Sequence, residues 1–203
     1  MAGPDGIPLA EGVRGLIFDC DGTLADSMPI HIDAWHQAFA AGGVEVPTAW
    51  LDDQKGQKET HIVNLANEQF GFTLDPRATV DLKHRVFRSR LDEVRPIGPV
   101  VNIVRANQGR LPMAVASGGV RANVDAILRL LDLTDAFSAI LTADDDVPPK
   151  PSPEIFLEAA RRLGVEPSAC QVFEDGDMGL VAARRAGMTA TDIRPYLAKE
   201  REP

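Results

Sequence analysis

Two aspartates separated by one residue, Asp19 and Asp21, close the short apolar run Leu16-Ile17-Phe18 and are followed by Gly22, Thr23 and Leu24. A buried strand tolerates charge poorly, so acids at its end are costly unless a site uses them. Three more clusters share this placement. Ser117-Gly118-Gly119 follows the apolar run Met113–Ala116, Lys150-Pro151 comes a few residues after Ala139–Leu141, and Glu174-Asp175-Gly176-Asp177 follows residues 171–173. Carboxylates crowded at one edge repel unless a counter-charge joins them. A hard divalent cation such as Mg²⁺ meets that need, because it takes oxygen ligands and accepts a phosphate oxygen among them. Lys150 and Ser117 can then bind a phosphoryl group, and the glycines at 118 and 119 let backbone N–H groups approach it. The chemistry is phosphoryl transfer, in which a carboxylate can serve as nucleophile through an aspartyl-phosphate.

The elements that must position these groups are legible as alternating patterns. Strand candidates are Gly15–Phe18, Met113–Ala116, Ala139–Leu141, 171–173 and a weaker 189–193. Helical spacing lies between the later ones, over 120–131, over Glu154–Leu163 behind Ser152 as N-cap, and over the Ala-rich 178–186 that stops at Gly187. Strand alternating with helix predicts an α/β fold, a Rossmann-like parallel sheet whose C-terminal edge gathers all four clusters. Residues 26–95 break the rhythm with four helix-like segments, 30–41, 48–54, Glu59–Phe70 and 76–94, and no convincing strand. They read as an inserted all-helical, four-helix cap domain, with hinges near Asp26 and Arg95-Pro96 and a core domain of 1–25 and 96–203. A helical layer packed rigidly on the same sheet is the alternative.

The balance of 21 basic against 30 acidic residues gives a formal charge of −9, which argues against nucleic-acid and anionic-membrane partners. A small phosphorylated substrate stays compatible, since a bound cation reverses the local sign. Residues 1–15 hold no long apolar run, so a cytoplasmic protein without a membrane span is expected, and nothing requires more than a monomer. Cys20 and Cys170 read as buried thiols.

In order along the chain, Asp19-x-Asp21-x-Thr23, Ser117, Lys150 and Glu174-Asp175 resemble the four motifs of the haloacid dehalogenase superfamily of phosphotransferases. The helical insertion looks like that family's C1 cap. The stretch from Leu16 to Trp35 and the run Val172-Phe173-Glu174-Asp175 look like its β-phosphoglucomutase-like branch, with Gly176 where that branch often has serine. The segments Val94-Arg95-Pro96 and Pro112-Met113-Ala114-Val115 look closest to bacterial phosphatases of fructose-1-phosphate or 6-phosphogluconate. The resemblance implies roles. Asp19 would be nucleophile and Mg²⁺ ligand. Asp21 would be general acid and then base, with its carbonyl on the metal. Asp175 would ligate Mg²⁺ directly, and Glu174 would hold a metal-bound water. Ser117, Gly118 and Lys150 would bind the phosphoryl group, and Thr23, counted with them, would orient Asp21.

In the insertion, His31 and Trp35 lie four apart on one helical face. They read either as packing within the insertion or, with Gly56, Gln57 and Lys58 of a loop, as substrate-facing residues. His36, His61 and His84 show no ligand spacing and read as surface. Asp177 reads as a helix N-terminal acid, not a ligand. Asp144 to Asp146 read as a solvated loop, with Asp144 a candidate support for Lys150. A dehalogenase would lack Asp21, and a receiver domain would carry its phosphoacceptor on a later strand. The rival is a β-phosphoglucomutase-type mutase. Against it stand Glu59 and Val120, where that family's resemblance calls for an arginine and a lysine.

Overall fold

A computed structural model describes residues 6–54 and 57–197. Five parallel strands form one sheet: β1 (Gly15–Phe18), β4 (Met113–Ala116), β5 (Ala139–Leu141), β6 (Cys170–Glu174) and β7 (Thr189–Asp192), in spatial order β5-β4-β1-β6-β7. β1, β4 and β6 are buried at every position, as strands covered on both faces must be. β1 is central, so its C-terminal end opens where the strand order reverses, the usual crevice for a ligand in such a sheet.

Helices α5 (Gly98–Asn107), α6 (Arg121–Leu130), α7 (Glu154–Leu163), α8 (Asp177–Arg185) and α9 (Arg194–Leu197) complete this unit. α7 and α8 press Ile155, Phe156, Ala159, Ala182 and Ala183 onto Ile17, Ala114, Ala116 and Val172 of the sheet. Small residues on α8 let its backbone come close. Both cysteines are buried and free. Gln171 is an uncharged polar side chain buried inside β6. It is satisfied on every side, accepting from Ala10 N (2.8 Å) and donating to Pro8 O (2.9 Å) and Thr191 Oγ1 (2.8 Å).

Several expectations shift. α5 carries no charged first turn and was not anticipated from sequence; it buries Val100, Val101, Ile103 and Val104. α7 is capped by Pro153, and Ser152 Oγ turns to the Glu154 carboxylate instead of a backbone N–H. At the two expected hinge positions the chain forms a paired ribbon: β2 (Ala25–Asp26) and β3 (Arg95–Pro96) run antiparallel, with Ala25 opposite Pro96 and Asp26 opposite Arg95.

The chain divides into two compact units, one of Met1–Asp26 with Arg95–Pro203 and one of Ser27–Val94. The second is helical: α1 (Met28–Ala41), α2 (Thr48–Asp53), α3 (Glu59–Phe70) and α4 (Pro76–Ser89). Asp75 caps α4, its Oδ1 accepting from Ala78 N at 2.8 Å. α4 stops five residues short of the expected 94, because Leu91–Glu93 tighten into a 3-10 turn. Trp35, Phe39, Leu51, Ile62, Val63, Ala66 and Val80 form its core.

The buried face of α4 also carries one charged side chain, between Val80 and Phe87. Lys83 is only 3% exposed, with Nζ 2.5 Å from Glu59 Oε1. His84 Nε2 meets Glu59 Oε2 at 2.6 Å, so His84 belongs to an ion cluster and not to the open surface. Burial works against the Glu59 charge, but His84 and Lys83 overcome it and pull the carboxyl from 4.5 down to about 2. A depressed folded pKa contributes stability that is present above the unfolded value and lost as pH falls through the folded one. Stability therefore drops between pH 4.5 and 2 by on the order of 2 kcal/mol from this group alone. Urea unfolding of Glu59→Gln across that window should show a shallower acid slope than wild type.

Candidate active site

β1 delivers Asp19 at its C-terminal end, where Asp19 N donates to Phe173 O at 3.0 Å on the neighbouring strand. Asp19 is 7% exposed, and its Oδ1 lies 2.7 Å from Lys150 Nζ. Lys150 also stands 3.6 Å from Glu174 Oε2 and 5.1 Å from the centre of the Phe156 ring. Its peptide bond to Pro151 is cis. The loop that presents Lys150 is organised by its acids. Asp145 Oδ2 accepts Thr142 N and Thr142 Oγ1, while Asp144 Oδ2 accepts Arg121 N at the start of α6. Asp144 thus serves α6, not Lys150.

β6 delivers Glu174 and Asp175. The carboxylates of Asp19, Glu174 and Asp175 each offer one oxygen within 4.8 Å of the others. Thr23 is fully buried, and its hydroxyl donates to Asp175 Oδ1 at 2.7 Å. It therefore acts on Asp175, where the motif reading set it beside Asp21 and the phosphate. The sharp turn after Asp21 needs Gly22, whose φ is +89° and whose Cα faces the Asp175 carboxylate with no room for a Cβ. β4 delivers Ser117, whose Oγ accepts from Gly119 N at 2.9 Å. A Cβ at Gly119 would lie 3.0 Å from Asp21 Oδ2 and 3.3 Å from Ser117 Oγ, so this loop meets Asp21. Gly118, the expected phosphate glycine, borders open space.

The charges are unbalanced. Burial pushes Asp19 up to about 7, with Lys150 opposing and Asp175 adding to the rise. Burial likewise drives Glu174 well above its usual range and raises Asp175. Lys150, despite its burial, is held above the usual lysine range by Asp19 and Glu174. One ammonium thus faces three carboxylates, and Glu174 Oε2 is buried without a hydrogen-bond partner. A buried acceptor left unmatched is costly in a folded protein. The oxygen-only donor set, its net negative charge and that orphaned atom fit a hard divalent cation.

The predicted residues His31, Trp35, Gln57 and Lys58 fall in the helical unit. His31 stacks on Phe87 with ring centres 3.9 Å apart, and Trp35 is 6% exposed and stacked on Phe39 at 5.6 Å. Trp35 therefore packs the unit's own core. Gln57 and Lys58 are exposed just ahead of α3, and Gly56 lies outside the described residues. Asp177 opens α8, exposed and 2.9 Å from Arg194. The motif reading passed over Gly179 on α8, which touches Glu174.

A strand-edge cluster of this kind on a parallel α/β sheet defines a phosphotransferase-type hydrolase. The haloacid dehalogenase-like hydrolase profile matches residues 13–187. The chain is 40% identical over 185 residues to fructose-1-phosphate phosphatase YqaB of Escherichia coli, covering 91% of this chain and 98% of that protein. It is 30% identical to hexitol phosphatase B of the same organism, covering 87% of this chain and 81% of that one. A β-phosphoglucomutase structure from Clostridium difficile shares the fold, with a TM-score of 0.75 at 24% identity over 89% of this chain and 84% of that one. The chain belongs to the haloacid dehalogenase-like hydrolases, and it is an enzyme of the phosphatase kind. Among the described residues no helix is long and apolar enough to cross a membrane.

Proposed function

We propose that the chain is a Mg²⁺-dependent phosphatase of small sugar phosphates, of the fructose-1-phosphate or 6-phosphogluconate type, acting through a phosphorylated Asp19. The observation that carries this reading is the buried Asp19 carboxylate fixed by Lys150 beside Glu174 and Asp175. In the first step an Asp19 oxygen bonds to phosphorus and the bond from phosphorus to the sugar oxygen breaks. Asp21 gives that leaving oxygen a proton. In the second step water bonds to phosphorus, Asp21 takes its proton, and the bond to Asp19 breaks, releasing inorganic phosphate. Lys150 lies against Asp19, and its ammonium would neutralise a phosphoryl oxygen carried there. Ser117 accepts Gly119 N–H, which leaves its hydroxyl proton for another. Asp19, Glu174 and Asp175 would hold the cation, whose bound charge would offset that of the phosphoryl group.

The choice of sugar is assigned to the helical unit, residues 27–94. The ribbon β2–β3 carries the chain out to that unit and back, beginning four residues after Asp21. The sugar-phosphatase relatives support the substrate class.

The test is release of inorganic phosphate from fructose-1-phosphate, 6-phosphogluconate and β-glucose-1-phosphate, in Mg²⁺ and in EDTA. Release from one or a few members that EDTA abolishes and Mg²⁺ restores is expected. Conversion of β-glucose-1-phosphate to glucose-6-phosphate without net phosphate release would replace the phosphatase by the mutase.

A further inference from the structure

Gly179 is the third residue of α8, between Met178 and Leu180. Nothing in its local backbone asks for glycine. It is not a cap, and it is not among the glycines with positive φ. Glycine is a poor helix former, so one that is neither a cap nor at positive φ is kept in a helix for packing or function. The reason here is tertiary. A Cβ at position 179 would occupy the space of Glu174 Oε1, Cδ and Cγ. The Glu174 side chain thus lies across the bare backbone of α8. It has little freedom to yield. Glu174 is 4% exposed, a Cβ at Gly176 would come within 3.1 Å of Oε1, and Lys150 Nζ stands 3.6 Å from Oε2.

We propose that Gly179 is a positioning residue for Glu174. The missing side chain lets Oε1 settle against α8 and leaves Oε2, the buried oxygen without a hydrogen-bond partner, 3.6 Å from Lys150 Nζ, while the carboxylate joins the cluster with Asp19 and Asp175. The same glycine that weakens α8 shapes the carboxylate cluster. The functional sense of this arrangement rests on the cation reading above.

Four proteins test it: wild type, Gly179→Ala, Glu174→Ala and the double variant. Mg²⁺ affinity is read by titration calorimetry and the metal-free melting temperature by heating in EDTA. Gly179→Ala should weaken Mg²⁺ binding roughly 10- to 100-fold, the usual consequence of disturbing a group that orients a ligand. In the Glu174→Ala background the same change should cost no further affinity. There it should also leave the metal-free melting temperature unchanged or higher, because alanine is the better helix former and has nothing to strike. In the Glu174 background it should lower that temperature. Wild-type affinity in Gly179→Ala, or an equal loss in both backgrounds, would overturn the proposal. If Gly179→Ala does not fold, a folded double variant supports the proposal and an unfolded one overturns it. A wild type that takes up no Mg²⁺ removes the cation reading, and the reversal in metal-free melting still decides on Gly179.

Discussion

Asp19→Asn lowers turnover by on the order of 10⁴-fold or more, because the substitution removes the nucleophile while keeping its shape. The same variant should melt no lower than wild type in EDTA, and the reason lies in the charge balance. Burial lifts the Asp19 carboxyl to about 7. A carboxyl raised in the folded state holds its proton there after the unfolded chain has released it, so its contribution to stability falls as pH rises. That loss runs from about pH 4, the ordinary carboxylate value, up to about 7. A neutral amide escapes it and also relieves repulsion with Asp175. Lys150 exchanges its 2.7 Å charged partner for a neutral amide acceptor and keeps Glu174 at 3.6 Å. The check is kcat alongside metal-free melting at pH 5 and pH 8. The wild type should lose stability between those values more steeply than Asp19→Asn. A catalytic loss accompanied by unfolding would mean that Asp19 is a structural ion-pair partner.

Asp21→Asn has the second-largest expected effect, a loss of roughly 10² to 10⁴ in kcat from removing one acid–base group. Its signature separates it from Asp19→Asn. Protonation of the leaving oxygen matters most for poor leaving groups, so aryl phosphates such as p-nitrophenyl phosphate should lose less than sugar phosphates. In Asp19→Asn the two should fall together. Asp21 Oδ2 lies near the Ser117–Gly119 loop, where a leaving oxygen on a bound phosphoryl group could be reached. Equal losses for both substrate types would remove Asp21 from the proton-transfer role.

The sheet and its chemistry were legible because both rest on short-range signals. Apolar runs that end in acids, a serine-glycine turn or a glutamate-aspartate pair mark strands and their C-terminal edge, and β1, β4 and β5 have the predicted bounds. The partners across the sheet were not legible. Thr23 meets Asp175 from 152 residues away, and no local pattern announces that bond. Lys83 lies three residues after Val80 and four before Phe87, on the buried stripe of α4, and its partner there, Glu59, is 24 residues earlier, which no local pattern announces. Trp35 carried a functional reading that its packing on Phe39 does not require. Gly179 did leave a trace. A glycine in the first turn of a helix, between Met178 and Leu180, forgoes up to about 1 kcal/mol of helix propensity, which calls for a tertiary cause. Periodicity records where a helix is, and that cost records what must come close to it.

The central claim is that Asp19 becomes phosphorylated during turnover. The direct measurement is mass spectrometry of the acid-quenched enzyme, taken while it turns over fructose-1-phosphate in Mg²⁺. A peptide containing Asp19 that carries one phosphoryl group, absent when Mg²⁺ is replaced by EDTA and absent in Asp19→Asn, is the predicted result. Phosphate released at full rate by Asp19→Asn, or a phosphoryl group found on another residue, would contradict the account.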